Sequence, residues 1–240
     1  MVKVKICGLT RVQDAAVALE SGADYLGFIL YPPSPRAVTV ESLGTIVREL
    51  RSSYGRLFSA PLPPRLVGVF VNEQPAVIAE VLAQCGLDLA QLSGDEDAAD
   101  IVDPLSPLIG RAYKAIRPRS REEAIASIGR YTNLMADSLS PQPSILLDTP
   151  HGKLYGGTGE VGDWEMSSEL ADVTPYLMLA GGLTADNVAE AVRQVQPFAV
   201  DVAGGVEERP GIKNHELLRA FIGRAKGIEQ SPDGPTATPF

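Results

Sequence analysis

The segment Lys5-Ile6-Cys7-Gly8-Leu9-Thr10 sets a thiol at the end of an alternating run. In Val2-Lys3-Val4-Lys5-Ile6 the alternation places Lys3, Lys5 and Cys7 on one face of a strand, which Gly8 then breaks. A thiol two residues from a same-face ammonium has a route to thiolate character, and so to work as a base or nucleophile. The competing reading of Cys7 is a small buried hydrophobe, the usual fate of a free cysteine. Asp148 closes the run Ser144-Ile145-Leu146-Leu147, which is otherwise suited to burial. A carboxylate there is costly unless it is paired, hydrogen-bonded or used; the alternative is a loop-capping aspartate before Thr149-Pro150. Arg36 ends the proline-stiffened stretch Tyr31-Pro32-Pro33-Ser34-Pro35, which can hold a guanidinium over a pocket to clamp a carboxylate, or leave it in solvent. Lys5, on the inward face, needs an anionic partner, and Asp201 is the candidate.

Glycine pairs recur in Ala180-Gly181-Gly182-Leu183-Thr184 and in Val202-Ala203-Gly204-Gly205-Val206. Glycine lets a backbone approach an anion closely and adopt positive φ, and a following helix offers free N–H groups. Thr184 or Asp186 is the expected start of one such helix, and Thr10 the expected N-cap of the helix after Cys7. Gly156-Gly157-Thr158-Gly159 is placed to close over the same region.

These residues need elements to converge them. Strand-like runs at Val2–Ile6, Tyr25–Leu30, Leu66–Val71, Leu87–Leu92, Ala112–Ile116, Ile145–Asp148, Tyr176–Ala180 and Phe198–Val202 alternate with helical periods. The helical periods include Val12-Ala15-Ala16-Leu19 and Ile78-Val81-Leu82-Cys85, with further helices expected over Val40–Arg51, Glu96–Val102 and Arg121–Tyr131. Eight strands each followed by a crossover predict a single-domain (β/α)8 TIM barrel over residues 1–227, with an open doubly wound sheet as runner-up. In such a barrel the strand ends share one pocket, which brings Cys7, the Arg36 loop, Gln91, Asp148 and both glycine pairs together. Ser52–Arg65 and Ala136–Pro143 are expected as surface excursions, and the unpatterned tail 228–240 as disordered. Cys85 falls on a helix's apolar stripe and is expected in the core.

The formal charge of −9 argues against nucleic acid, although one local cation and backbone donors can still hold a phosphate. Two cysteines and two histidines fit neither a disulfide framework nor a zinc motif, so no metal is expected. No apolar stretch is long enough to span a membrane and no signal-peptide pattern opens the chain, which predicts a cytoplasmic protein.

Taken together, these segments resemble the phosphoribosylanthranilate isomerases of tryptophan biosynthesis. The resemblance runs over residues 1–227. It rests on Lys5-Ile6-Cys7-Gly8-Leu9-Thr10, Gly27-Phe28 with the following Ser34-Pro35-Arg36, Val67-Gly68-Val69-Phe70-Val71-Asn72, Leu146-Leu147-Asp148-Thr149, the glycine clusters and Pro197-Phe198-Ala199-Val200-Asp201-Val202. It implies a barrel enzyme without a cofactor, a monomer or homodimer, acting on a small phosphorylated substrate. The implied reaction is the Amadori rearrangement of N-(5-phosphoribosyl)anthranilate, with Asp148 as general acid and Cys7 as general base. Lys5, Arg36, Gln91 and Asp201 would contact substrate, with Arg36 on the anthranilate carboxylate. Gly157, Gly181, Gly182, Gly204 and Gly205 would bind phosphate. A modest downward shift of the Cys7 thiol, helped by Lys5, and burial of Asp148 are the expected sources of their reactive forms. Ser93, Glu160 and Ala203-Gly204 depart from the family pattern of histidine, lysine and Ser-Ser. Alternatives are a drifted paralogue acting on another phosphosugar, a non-catalytic phosphate-binding barrel, and a redox-active thiol protein.

Overall fold

The computed structural model describes residues 1–132, 142–148 and 164–228. Parallel strands β1 (Lys3–Ile6), β2 (Tyr25–Ile29), β3 (Arg65–Phe70), β4 (Leu89–Leu92), β5 (Ala112–Ile116), β6 (Ile145–Asp148), β7 (Leu177–Ala180) and β8 (Ala199–Val202) close into a barrel in sequence order. Closure comes from β1 pairing with β8, where Lys5 lies opposite Asp201. The doubly wound alternative is thereby excluded.

Each strand is buried on both faces, which is why the runs read as almost continuously apolar. One face fills the barrel interior with Tyr25, Val67, Leu89, Tyr113, Leu146 and Met178. The other packs Ile6, Leu26, Leu66, Leu92, Leu147 and Leu179 against the surrounding helices. Those helices are α1 (Val12–Glu20), α2 (Val40–Ser53), α3 (Gly55–Phe58), α4 (Pro75–Cys85), α5 (Ala99–Val102), α6 (Arg121–Tyr131), α7 (Trp164–Val173), α8 (Val188–Val195) and α9 (His215–Ala225). Local chemistry sets their ends. Thr39 and Ser42 form a capping box on α2, Pro75 opens α4, and Gly86 closes α4 with φ 67°. After β8 comes a turn of 3-10 helix, Gly204–Val206, followed by the small hairpin β9 (Glu207–Arg209) and β10 (Ile212–Lys213). Among the described residues no helix is long and apolar enough to cross a membrane.

Several local expectations are corrected. Thr10 does not cap α1: Arg11 occupies that position, while the Thr10 hydroxyl donates to the Gly211 carbonyl at 2.5 Å. Neither Thr184 nor Asp186 caps α8; Asn187 precedes it, and its Oδ1 instead accepts from Thr184 N. The expected excursion at Ser52–Arg65 contains the end of α2 and all of α3. The helix expected over Glu96–Val102 is confined to α5, because Glu96 folds back to accept hydrogen bonds from Asn72 N and Gly94 N. Cys85 is buried in the core as expected. Most of Ala136–Pro143, the Gly156–Gly159 cluster with Gly157, Glu160 and tail residues 229–240 lie outside the described residues.

Candidate active site

At the carboxyl end of the barrel the inward-facing residues stop being apolar and line a cavity of about 650 Å³. Its wall includes Cys7 after β1, Gln91 on β4, Asp148 on β6, Asp201 on β8, and the pairs Gly181-Gly182 and Gly204-Gly205. A volume in this range suits a ligand of small-molecule size. The expected convergence of strand ends is therefore realised. Both glycine pairs face the same space, and Gly181 and Gly182 adopt φ of 94° and 59°, open to glycine at little cost. A Cβ on Gly205 would overlap the Leu183 carbonyl oxygen, so the loops after β7 and β8 touch only because that side chain is missing.

Lys5 does not reach this wall. It is fully buried, and its Nζ donates to Asp201 Oδ1 at 2.9 Å. Burial alone would lower its pKa, but the Asp201 carboxylate reverses that and holds the ammonium charged. Tyr113, buried in the barrel interior, donates to Gln91 Oε1 at 3.1 Å, while Gln91 Nε2 donates to Ser93 Oγ at 3.2 Å. Arg36 does not itself line the cavity, although its guanidinium lies 3.5 Å from where a Cβ on the lining residue Gly204 would stand. It is engaged by Glu207 through Nε at 2.9 Å and NH2 at 2.7 Å.

The electrostatic expectations for the two reactive groups need revision. Burial pushes the Cys7 thiol up, and Lys5 only opposes the shift. The Lys5 charge is already engaged by Asp201, so the expected downward shift does not occur. Asp148 is not buried in an apolar strand: its side chain is 31% exposed and accepts from Arg117 Nε at 2.8 Å. In a Cys85→Ala background, alkylation of Cys7 by iodoacetamide should keep rising about tenfold per pH unit past the usual thiol value. A rate that levels off at or below pH 9.0, that usual value, would contradict the burial effect.

Sequence reasoning missed Arg117 and Glu207. Arg117 lies on the cavity wall and also donates from NH1 to the Ser93 carbonyl. Its signal was parity: with Tyr113 and Ala115 facing inward, residue 117 faces inward too. Glu207 was unread because the hairpin that carries it shows no pattern in so few residues. Gly27, read from sequence only as part of the motif on the second strand, has a packing role: a Cβ there would lie 2.9 Å from Cys7 Sγ and 3.2 Å from Lys5 Cε. Gly27→Ala is expected to overpack this spot and cost about 1–3 kcal/mol of stability, read from denaturant unfolding. An unchanged unfolding midpoint would show that Cys7 can move aside freely.

The model of the N-(5'-phosphoribosyl)anthranilate isomerase family matches residues 4–224. An enzyme of that name from Geobacter sulfurreducens is 43% identical over 233 residues, covering 95% of this chain and 100% of its own. The crystal structure of phosphoribosyl anthranilate isomerase from Thermotoga maritima superposes with a TM-score of 0.74 at 37% identity, covering 95% and 100% of the two chains. A structure of the enzyme in complex with reduced 1-(o-carboxyphenylamino)-1-deoxyribulose 5-phosphate superposes with a TM-score of 0.72 at 35% identity, over the same shares. A closed eight-strand barrel, a thiol and a carboxylate on one wall, and matches of this extent have one meaning: the chain belongs to the phosphoribosylanthranilate isomerase family.

Proposed function

We propose that the cavity carries out the isomerisation of N-(5-phosphoribosyl)anthranilate to 1-(2-carboxyphenylamino)-1-deoxyribulose 5-phosphate in tryptophan biosynthesis. The observation that carries this reading is that Cys7 and Asp148 line the same cavity as the two glycine loops. Asp148 gives a proton to the ribose ring oxygen, and the anilino nitrogen's lone pair opens the ring to a Schiff base. Cys7 then takes the proton from C2, leaving an enolamine that tautomerises to the ketone. No atom is lost and none is gained.

The protonation states follow from one transfer. Burial keeps Cys7 a thiol in the free protein. Moving that proton to Asp148 creates the base and the acid together, with no net change of charge in the cavity. The thiolate formed this way is scarce, but burial also makes it a stronger base, which partly offsets the scarcity. Gly181, Gly182, Gly204 and Gly205 provide close backbone approach for the phosphate, and Gly157 is proposed to join them. Gln91 and Asp201 are within the cavity to meet the sugar hydroxyls, while Lys5 acts by holding Asp201. Arg36 meets the anthranilate carboxylate.

Growth of a tryptophan auxotroph lacking this isomerase tests the assignment. The chain should restore growth without added tryptophan. A folded, expressed chain that restores none would favour a different phosphosugar or a binding role.

A further inference from the structure

Arg36 stands on the loop after β2 and Gly204-Gly205 follow β8, two strands away across β1, but the strand order alone does not fix where the guanidinium is held. A buried ammonium does. The Lys213 side chain is wholly buried in the hairpin, and its Nζ donates to Glu207 Oε1 and to the Ala203 carbonyl, both at 2.9 Å. Glu207, 5% exposed, is the carboxylate that grips Arg36. Ala203 is the residue directly before Gly204-Gly205. The hairpin is itself anchored, because Lys213 N donates to the fully buried Asp14, which also takes Arg11 and His215.

The charges matter as much as the distances. Arg36 and Glu207 alone would form a neutral pair with little pull on an anion. Lys213 restores a net positive charge to the trio without itself touching the cavity wall. The pairing uses Arg36 Nε and NH2, and among the described residues NH1 makes no hydrogen bond, so that edge remains for a carboxylate.

The geometry points to Lys213 and Glu207 as positioning residues that lock Arg36 and the phosphate loop into one cationic unit, so that carboxylate and phosphate of one substrate are read at a fixed separation. This rests on the proposed role of Arg36. Two anchor points on one ligand add their full effect only when their spacing is set in advance.

The test uses Lys213→Met, Glu207→Gln and Arg36→Met in the full chain, with turnover of N-(5-phosphoribosyl)anthranilate and competitive inhibition by inorganic phosphate. Lys213→Met should raise KM on the order of ten- to a hundredfold. Its kcat should change less than about threefold, the split that marks lost binding shared by ground and transition states. Phosphate inhibition should weaken in parallel, although Lys213 lies outside the cavity wall. Glu207→Gln should raise KM in the wild-type background and add much less in the Arg36→Met background, where only its hold on Lys213 remains to be lost. Lys213→Arg should restore most of the loss. A folded Lys213→Met with wild-type KM and phosphate inhibition would overturn the proposal. So would a Glu207→Gln loss that adds in full to Arg36→Met, a comparison that stands even where Lys213→Met does not fold. If Arg36→Met itself leaves KM unchanged, the carboxylate role of Arg36 falls, and this inference with it.

Discussion

Replacing Cys7 with alanine is expected to lower kcat about 10²- to 10⁴-fold, and Asp148→Asn should do the same. Each variant removes one end of the proton path while leaving the phosphate and carboxylate contacts in place, so KM should move little. Stability should not confound the measurement. The Asp148–Arg117 pair is 31% and 58% exposed on its two sides. A pair that exposed contributes at most about 1 kcal/mol. Cys7→Ala removes one small sulfur from a site that opens on the cavity. Steady-state turnover with a thermal melt of each variant makes the check. Asp148→Asn turning over within about tenfold of wild type would remove it as the proton donor. The double variant should fall little below either single one, since each group needs the other's proton.

Lys5→Met is expected to be the most destabilising single change in the barrel interior. It deletes one member of a buried ion pair and leaves Asp201 without its partner at 2.9 Å. Such a loss costs roughly 3–5 kcal/mol, because the remaining carboxylate is left largely desolvated without its counter-charge. Asp201 keeps 10% exposure toward the cavity, which favours the lower end of that range. In a chain of 240 residues this amounts to a fall in Tm of about 6–12 °C. The same variant removes the charge that opposes the upward shift of Cys7, so thiolate becomes scarcer and turnover falls as well. A melt within about 2 °C of wild type would mean that the pair is not stabilising where it stands.

The architecture was legible because parallel strands buried on both faces leave long apolar runs. β5 and β6 coincide with the sequence reading residue for residue, β3 is shifted by one residue at both ends, and the other strands differ by one or two residues at one end. The Lys5–Asp201 pair was legible too, since an inward lysine on the first strand can only be answered by its neighbour across the closure. Ends of elements were less legible. Thr10 has the right side chain for a cap, but a partner some two hundred residues away, the Gly211 carbonyl, claims its hydroxyl. The strength of burial was misjudged in both directions. Cys7 looked tunable by Lys5, and only the folded pairing shows that charge already engaged. Asp148 looked enclosed because its strand is apolar, yet a strand's last residue opens on the cavity, where Arg117 meets it. The hairpin β9–β10 carried no periodic signal, so Glu207 and Lys213 emerged only from coordinates.

The most direct measurement is a crystal structure of this chain with the reduced product analogue bound. The proposed chemistry predicts the Cys7 sulfur against the sugar's C2 and an Asp148 carboxyl oxygen within about 2.6–3.2 Å of the oxygen that closes the ribose ring. An analogue seated in the cavity with either group turned away from those atoms would contradict it.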